Sequence, residues 1–104
     1  MTAEHAHAQL DPLIHELPRL RICATLAATA SLESRVLRDT TGLSDSALSK
    51  HLARLVQAGY VQQHTRQPRG PGRPPTWVTL TDQGRSAYNA HLAALHGITT
   101  PADK

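Results

Sequence analysis

Residues 34–81 (SRVLRDTTGLSDSALSKHLARLVQAGYVQQHTRQPRGPGRPPTWVTLT) narrow the folds open to this chain more than any other segment. Two helical stretches meet there with almost nothing between them. The first, over residues 34–39, is expected to bury Val36 and Leu37, and Thr40-Thr41-Gly42 follows as a turn. Gly42 would supply the left-handed backbone that a sharp change of helix direction requires. Ser44 is a favourable N-cap for the second helix, and Leu43 before it can pack on Leu48 inside. Leu48, Leu52, Leu55 and Val56 then recur at helical spacing until Gly59 stops the run. The opposite face carries Ser46, Ser49, Lys50, Ala53, Arg54 and Gln57. Residues 60–66 next read as a strand with Val61 inward. Residues 76–80 read as another, with Val78 and Leu80 on one face and Trp77 and Thr79 on the other. The intervening QPRGPGRPP (residues 67–75) breaks helix and strand alike with Pro and Gly. The pattern is helix, turn, helix, then a hairpin with a long cationic tip.

The flanks read as helices. Asp11 followed by Pro12 is a start signal: the carboxylate caps free N–H groups, and Pro loses nothing at the first helical position. Leu13, Ile14 and Leu17 would form the apolar side. Pro18 opens a further helix with Leu20, Cys23, Ala24 and Ala27 inward, Leu26 as a further candidate, and an end near Ala30. Leu32 falls in a short strand or an extended link. Thr81 or Asp82 caps a last helix to about His96, with Ala87, Leu92 and Leu95 apolar. The expected class is mainly α with a small β-hairpin. One domain over residues 10–98 would lie between tails at 1–9 and 99–104.

Charge is distributed unevenly. Between Ser46 and Thr81 there is no Asp or Glu, whereas Lys50, Arg54, Arg66, Arg69 and Arg73 all fall there. A net charge of +3 is mild, so the clustering carries the information. A polyanion neutralised by such a surface releases condensed counterions, the main source of sequence-independent nucleic-acid affinity. The single Cys23 rules out an internal disulfide and a CxxC metal motif. There is no apolar run of membrane-spanning length and no signal-peptide core, so a cytoplasmic protein is expected. No phosphate loop, paired carboxylates or activated nucleophile points to an enzyme.

Four segments carry a family resemblance: LDPLIHELPRLRI (residues 10–22), LRDTTGLSDSALSKHLARLVQAGYV (37–61), GRPPTWVTLT (72–81) and the TDQGR that opens the last helix. On these the chain resembles the small winged helix-turn-helix transcriptional regulators of the MarR and ArsR types. The resemblance implies a homodimer held by the first and last helices and bound to double-stranded DNA at an inverted-repeat operator. It also implies a recognition helix presenting Ser46, Ser49, Lys50 and Arg54 to the major groove. One position departs from the pattern: Ser34 stands where such proteins usually place a large apolar residue, a gap that Leu32 or Val36 could fill. Repression and activation stay open, because operator position decides between them; repression is the expectation. A small-molecule effector is unspecified.

The expected DNA-binding residues are Ser44, Ser46, Ser49, Lys50, His51, Arg54, Arg66, Arg69 and Arg73. Ser46, Ser49 and Lys50, near the helix start, would lie closest to base edges, and Arg54 near a phosphate or a guanine. His51 would pack at the groove edge or bond a phosphate. Gly72-Arg73-Pro74 matches the core of an AT-hook, whose extended backbone lets the arginine lie along an A·T minor groove. Arg69 would meet a phosphate. The plain alternatives are a solvated helix face and a linker kept soluble by its arginines. No cofactor is expected. The seven histidines raise a metal-sensor reading, but His5 and His7 lie near the start, His91 and His96 are five apart, and Cys23 lacks a cysteine partner. Cys23 reads as a small buried apolar group. Trp77 would cover the wing base, line a pocket or meet a partner subunit. A rival from another class is a winged-helix protein-docking module.

Overall fold

The computed structural model describes residues 10–66, 70–72 and 74–100; the expected tail over 1–9 and residues 101–104 of the tail expected over 99–104 lie outside them. Asp11 opens the structure as its sequence predicts. One carboxylate oxygen accepts from the Leu13 and Ile14 N–H groups, starting α1 (Pro12–His15). Glu16 then adopts an extended conformation, and α2 (Leu17–Ala27) begins at once. After β1 (Leu32–Glu33) come α3 (Ser34–Thr41) and α4 (Asp45–Gln57). Gly42 joins these two with φ 76°, the left-handed backbone expected of it. The hairpin is β2 (Val61–Thr65) and β3 (Thr76–Leu80), and α5 (Asp82–Thr99) closes the chain. Thr81 caps α5 by accepting from the Gly84 N–H at 2.9 Å.

The three strands form one antiparallel sheet in the order β1-β3-β2. Val61 faces Leu80 and Thr65 faces Thr76, while β1 sets Leu32 against Val78 and Glu33 against Trp77. The core is Ile14, Ile22, Cys23, Leu26, Leu37, Leu48, Leu52, Leu55, Val61, Val78 and Leu80. Burying each large aliphatic side chain stabilises by about 1.5–3 kcal/mol. Leu43 and Leu32 pack against this cluster. Of the two residues offered for the gap at Ser34, Leu32 packs on the core and Val36 is exposed.

Several inward assignments are corrected. Leu17, Val36 and Val56 are 56%, 44% and 40% exposed, and Ala24 is exposed as well. Leu17 turns out because the chain bends at Glu16, so residues on either side do not share one helix face. Val36 and Val56 each adjoin a better-placed leucine, Leu37 and Leu55, which takes the core position with no exposure. The helix before β1 stops at Ala27 rather than near Ala30, whereas α3 runs on to Thr41 and α5 to Thr99. Leu92 is 39% exposed, and His91 and Ala94 take the inward face of α5 instead. The glycine of TDQGR has a steric reason. A Cβ on Gly84 would overlap the Tyr60 carbonyl, which already accepts from Thr81 N–H.

Candidate nucleic-acid interface

The outer face of α4 is built from its first turn. Ser44, extended at φ −71° and ψ 163°, accepts from the Ala47 N–H at 3.1 Å. Beyond this cap Ser46, Ser49, Lys50, Ala53, Arg54 and Gln57 are all exposed, while Leu48, Leu52 and Leu55 anchor the other side. Asp45 is the acid of the first turn, and Arg38 of α3 holds it at 3.0 Å. Arg38 also bonds Asp39 at 3.0 Å, so this guanidinium ties α3 to α4. Those two carboxylates, Asp45 first, push its pKa further up.

A cleft of about 420 Å³ separates α3, α4 and the hairpin, lined in part by Arg35, Ser49, Gln63 and Thr76. Arg35 is an exposed cation on the same cleft as Ser49. It was missed because the acid-free window begins at Ser46, eleven residues later. On the hairpin, Arg66 lies over the Trp77 ring, its guanidinium carbon 4.1 Å from the ring centre. Arg66 therefore stiffens the base of the wing by a cation–π contact. Trp77 is half-buried, and among the described residues its Nε1 has no hydrogen-bond partner. Arg69 and Arg73 lie outside the described residues, so the hook assignment at the tip does too.

His51 is placed differently from its neighbours. It is half-buried, and its Nδ1 lies 3.0 Å from Nη1 of Arg19 on α2. Arg19 is 4% exposed and donates as well to the Leu13 carbonyl at 2.6 Å, with Glu16 at 3.3 Å. Burial first, and the Arg19 charge next, hold the His51 imidazolium below its ordinary range.

A second polar cluster, centred on the buried His91, adjoins it. The Tyr60 hydroxyl donates to Asp11 at 2.6 Å, which pushes the phenol up to about 12. The Asp11 N–H donates to Nδ1 of the fully buried His91 at 2.9 Å. His91 thereby carries its proton on Nε2, which lies 3.3 Å from Nδ1 of His15. Burial, then His15, keeps His91 below its ordinary range. A metal at this pair would need the His91 Nε2 lone pair and hence loss of the bond to Asp11. Among the described residues no three or more His, Cys, Asp or Glu side chains converge as a metal site. Cys23 is buried as expected, its thiol raised to about 11 mainly by burial. One signal for these clusters was present in the sequence: Arg19 stands in helical phase with Ile22, Cys23 and Leu26.

A model of the winged helix DNA-binding domain family matches residues 18–99. The chain belongs to this family. Its resemblance to winged-helix regulators holds at the level of family and fold, and DNA is its partner. The chain is 28% identical over 80 residues to an uncharacterised protein of Methanocaldococcus jannaschii, covering 77% of this chain and 85% of that protein. The crystal structure of NadR in complex with 4-hydroxyphenylacetate is similar in fold, with a TM-score of 0.65 and 22% identity over 90% of this chain and 67% of NadR. Among the described residues no helix is long and apolar enough to cross a membrane.

Proposed function

We propose that the chain is a dimeric, sequence-specific transcriptional regulator, acting as a repressor at an inverted-repeat operator. The observation that carries this reading is the outer face of α4: six small, amide or cationic side chains, all exposed and without an acid among them. In a groove, bulk there would clash and carboxylates would repel phosphate. Ser46, Ser49 and Lys50 meet base edges, Arg54 a phosphate or guanine, and Ser44 holds the first turn that aims them. Arg35 adds a phosphate contact from α3. In the wing, Arg66 braces the base, Arg69 meets a phosphate, and Arg73 enters an A·T minor groove. Leu17 on α2, with Leu92 and Ile98 on α5, is exposed in the single chain, and these apolar side chains support a dimer that would cover them. The working unit spans residues 10–98 and acts in the cytoplasm, where such an operator lies.

A salt titration of binding to an operator and to random duplex tests the reading, with light scattering on the same sample. Regulation predicts a dimer, a steep salt slope and tighter binding to the operator. A protein-docking module predicts neither salt-dependent DNA affinity nor sequence preference.

A further inference from the structure

Resting on the DNA-binding reading, we infer that Arg19 is a positioning residue for recognition: it fixes His51 as a neutral imidazole whose only proton is on Nε2. His51 thereby meets DNA as a single directional donor and not as a cation. The inference begins with bonding capacity. A guanidinium has five N–H donors and no acceptor, so the 3.0 Å contact with Arg19 requires His51 Nδ1 to accept. A neutral ring accepting at Nδ1 must carry its hydrogen at Nε2. Among the described residues Nε2 has no protein partner, and it is not among the buried polar atoms that lack one. It faces solvent.

Helix geometry says which solvent. At about 100° per residue, position 51 lies on the flank of α4 between buried Leu55 and exposed Arg54. This is the flank away from the cleft that Ser49 shares with the hairpin. With α4 in a groove, a donor there meets a phosphate oxygen at the groove edge.

The arrangement resists protonation. Arg19 faces the ring from α2, and Lys50 and Arg54 face it from α4, all disfavouring a second proton; Glu16 at the α1–α2 junction alone opposes them. The nearly buried Arg19 cannot turn away without giving up its bond to the Leu13 carbonyl and its ion pair with Glu16. Helix α2 thus sets the chemical form of a side chain on the recognition helix. A neutral donor adds direction to a phosphate contact but displaces no counterion, so it leaves the salt slope unchanged.

Nitrogen NMR of His51 in the free protein tests the first half without DNA. The expected spectrum at pH 7 is neutral with the proton on Nε2; a proton on Nδ1, or a charged ring, overturns the inference. Arg19→Met should let the His51 pKa rise toward the ordinary value of about 6.5, whereas Arg19→Lys, which keeps charge and donor, should hold it down. The second half is read from binding in a double-mutant cycle with His51→Ala. In the native background the contribution of His51 should be the same at about pH 6 and about pH 7.5. With Arg19→Met it should grow severalfold toward pH 6, with the log–log salt slope steeper by up to about 1. If Arg19→Met does not fold by circular dichroism, the native spectrum and Arg19→Lys still decide. An unchanged spectrum and pH profile in a folded Arg19→Met protein means that Arg19 only packs. Loss of all DNA binding in the native protein refutes the DNA reading instead and leaves the tautomer result standing.

Discussion

Arg54 and Arg19 end in the same guanidinium and do opposite things. Arg54 stands exposed on α4, with its charge available to a polyanion. Arg19 is closed in among Leu13, Glu16 and His51, with its charge committed inside the fold. The regions around them repeat the contrast. The outer face of α4 holds polar groups that stay hydrated until DNA replaces the water. Asp11, Tyr60 and His91, with the buried Arg19 beside them, are polar groups that have largely exchanged water for protein partners. A satisfied buried network stabilises one arrangement, and removing a member leaves its partner dry and unpaired. An exposed polar face contributes little to stability and is free for binding. One sequence has thus divided its polar residues between holding shape and reading a ligand.

Substitutions that separate stability from binding can break this division. The largest effect is expected at Gly84, where any side chain meets the Tyr60 carbonyl. Gly84→Ala should lower the unfolding free energy by more than about 3 kcal/mol and abolish DNA binding along with the fold. Urea denaturation checks it, and a small loss would mean that the α5 turn is free to move. Asp11→Ala, which removes a cap and the Tyr60 bond, should cost about 2 kcal/mol. Binding per folded molecule should hold steady by fluorescence anisotropy.

On the α4 face the pattern should invert. Lys50→Ala and Arg54→Ala should weaken operator binding roughly tenfold yet leave the melting temperature nearly unchanged. Lys50→Ala should alter which operators are preferred, and Arg54→Ala should act more evenly across sequences. A stability loss as large as that of Asp11→Ala would erase the contrast between the two regions.

Acid sharpens it further. The folded pKa values of His91 and His51 are both depressed, so the unfolded chain binds more protons in that range. Stability is then complete above about pH 6.5 and is lost as pH falls below that value through the depressed folded pKa values. Calorimetry from pH 7.5 to pH 5 should show the fall, and His91→Asn, which can still accept from Asp11, should flatten it. The smallest effects are expected at the wing tip. Arg69→Ala should reduce the log–log salt slope by about 1, and Arg73→Ala should weaken A·T-flanked operators more than G·C-flanked ones. Equal losses on both flanks would reduce the wing to a tether.

The helix–turn–helix was legible because its signals are local. Gly42 must turn left-handed, Ser44 must cap, and Leu48, Leu52 and Leu55 must share a face, whatever lies elsewhere in the chain. The exposed residues of α4 followed directly, as did β3, where Val78 and Leu80 alternate with Trp77 and Thr79. The buried polar clusters were not legible. The partners of Asp11 are 49 and 80 residues away, and spacing says nothing about contacts of that range. Arg19 and His91 look like breaks in an apolar stripe until their partners are known. Val36 and Val56 erred the other way: an apolar residue beside a core leucine need not be inside.

Trp77, the chain's single tryptophan, sits under the Arg66 guanidinium where the wing leaves the sheet. An indole's emission responds to charge and hydration close to its ring. The wing therefore carries a built-in fluorophore, and when its arginines meet DNA the strain on the hairpin base should register as a change in intrinsic emission, with no label attached.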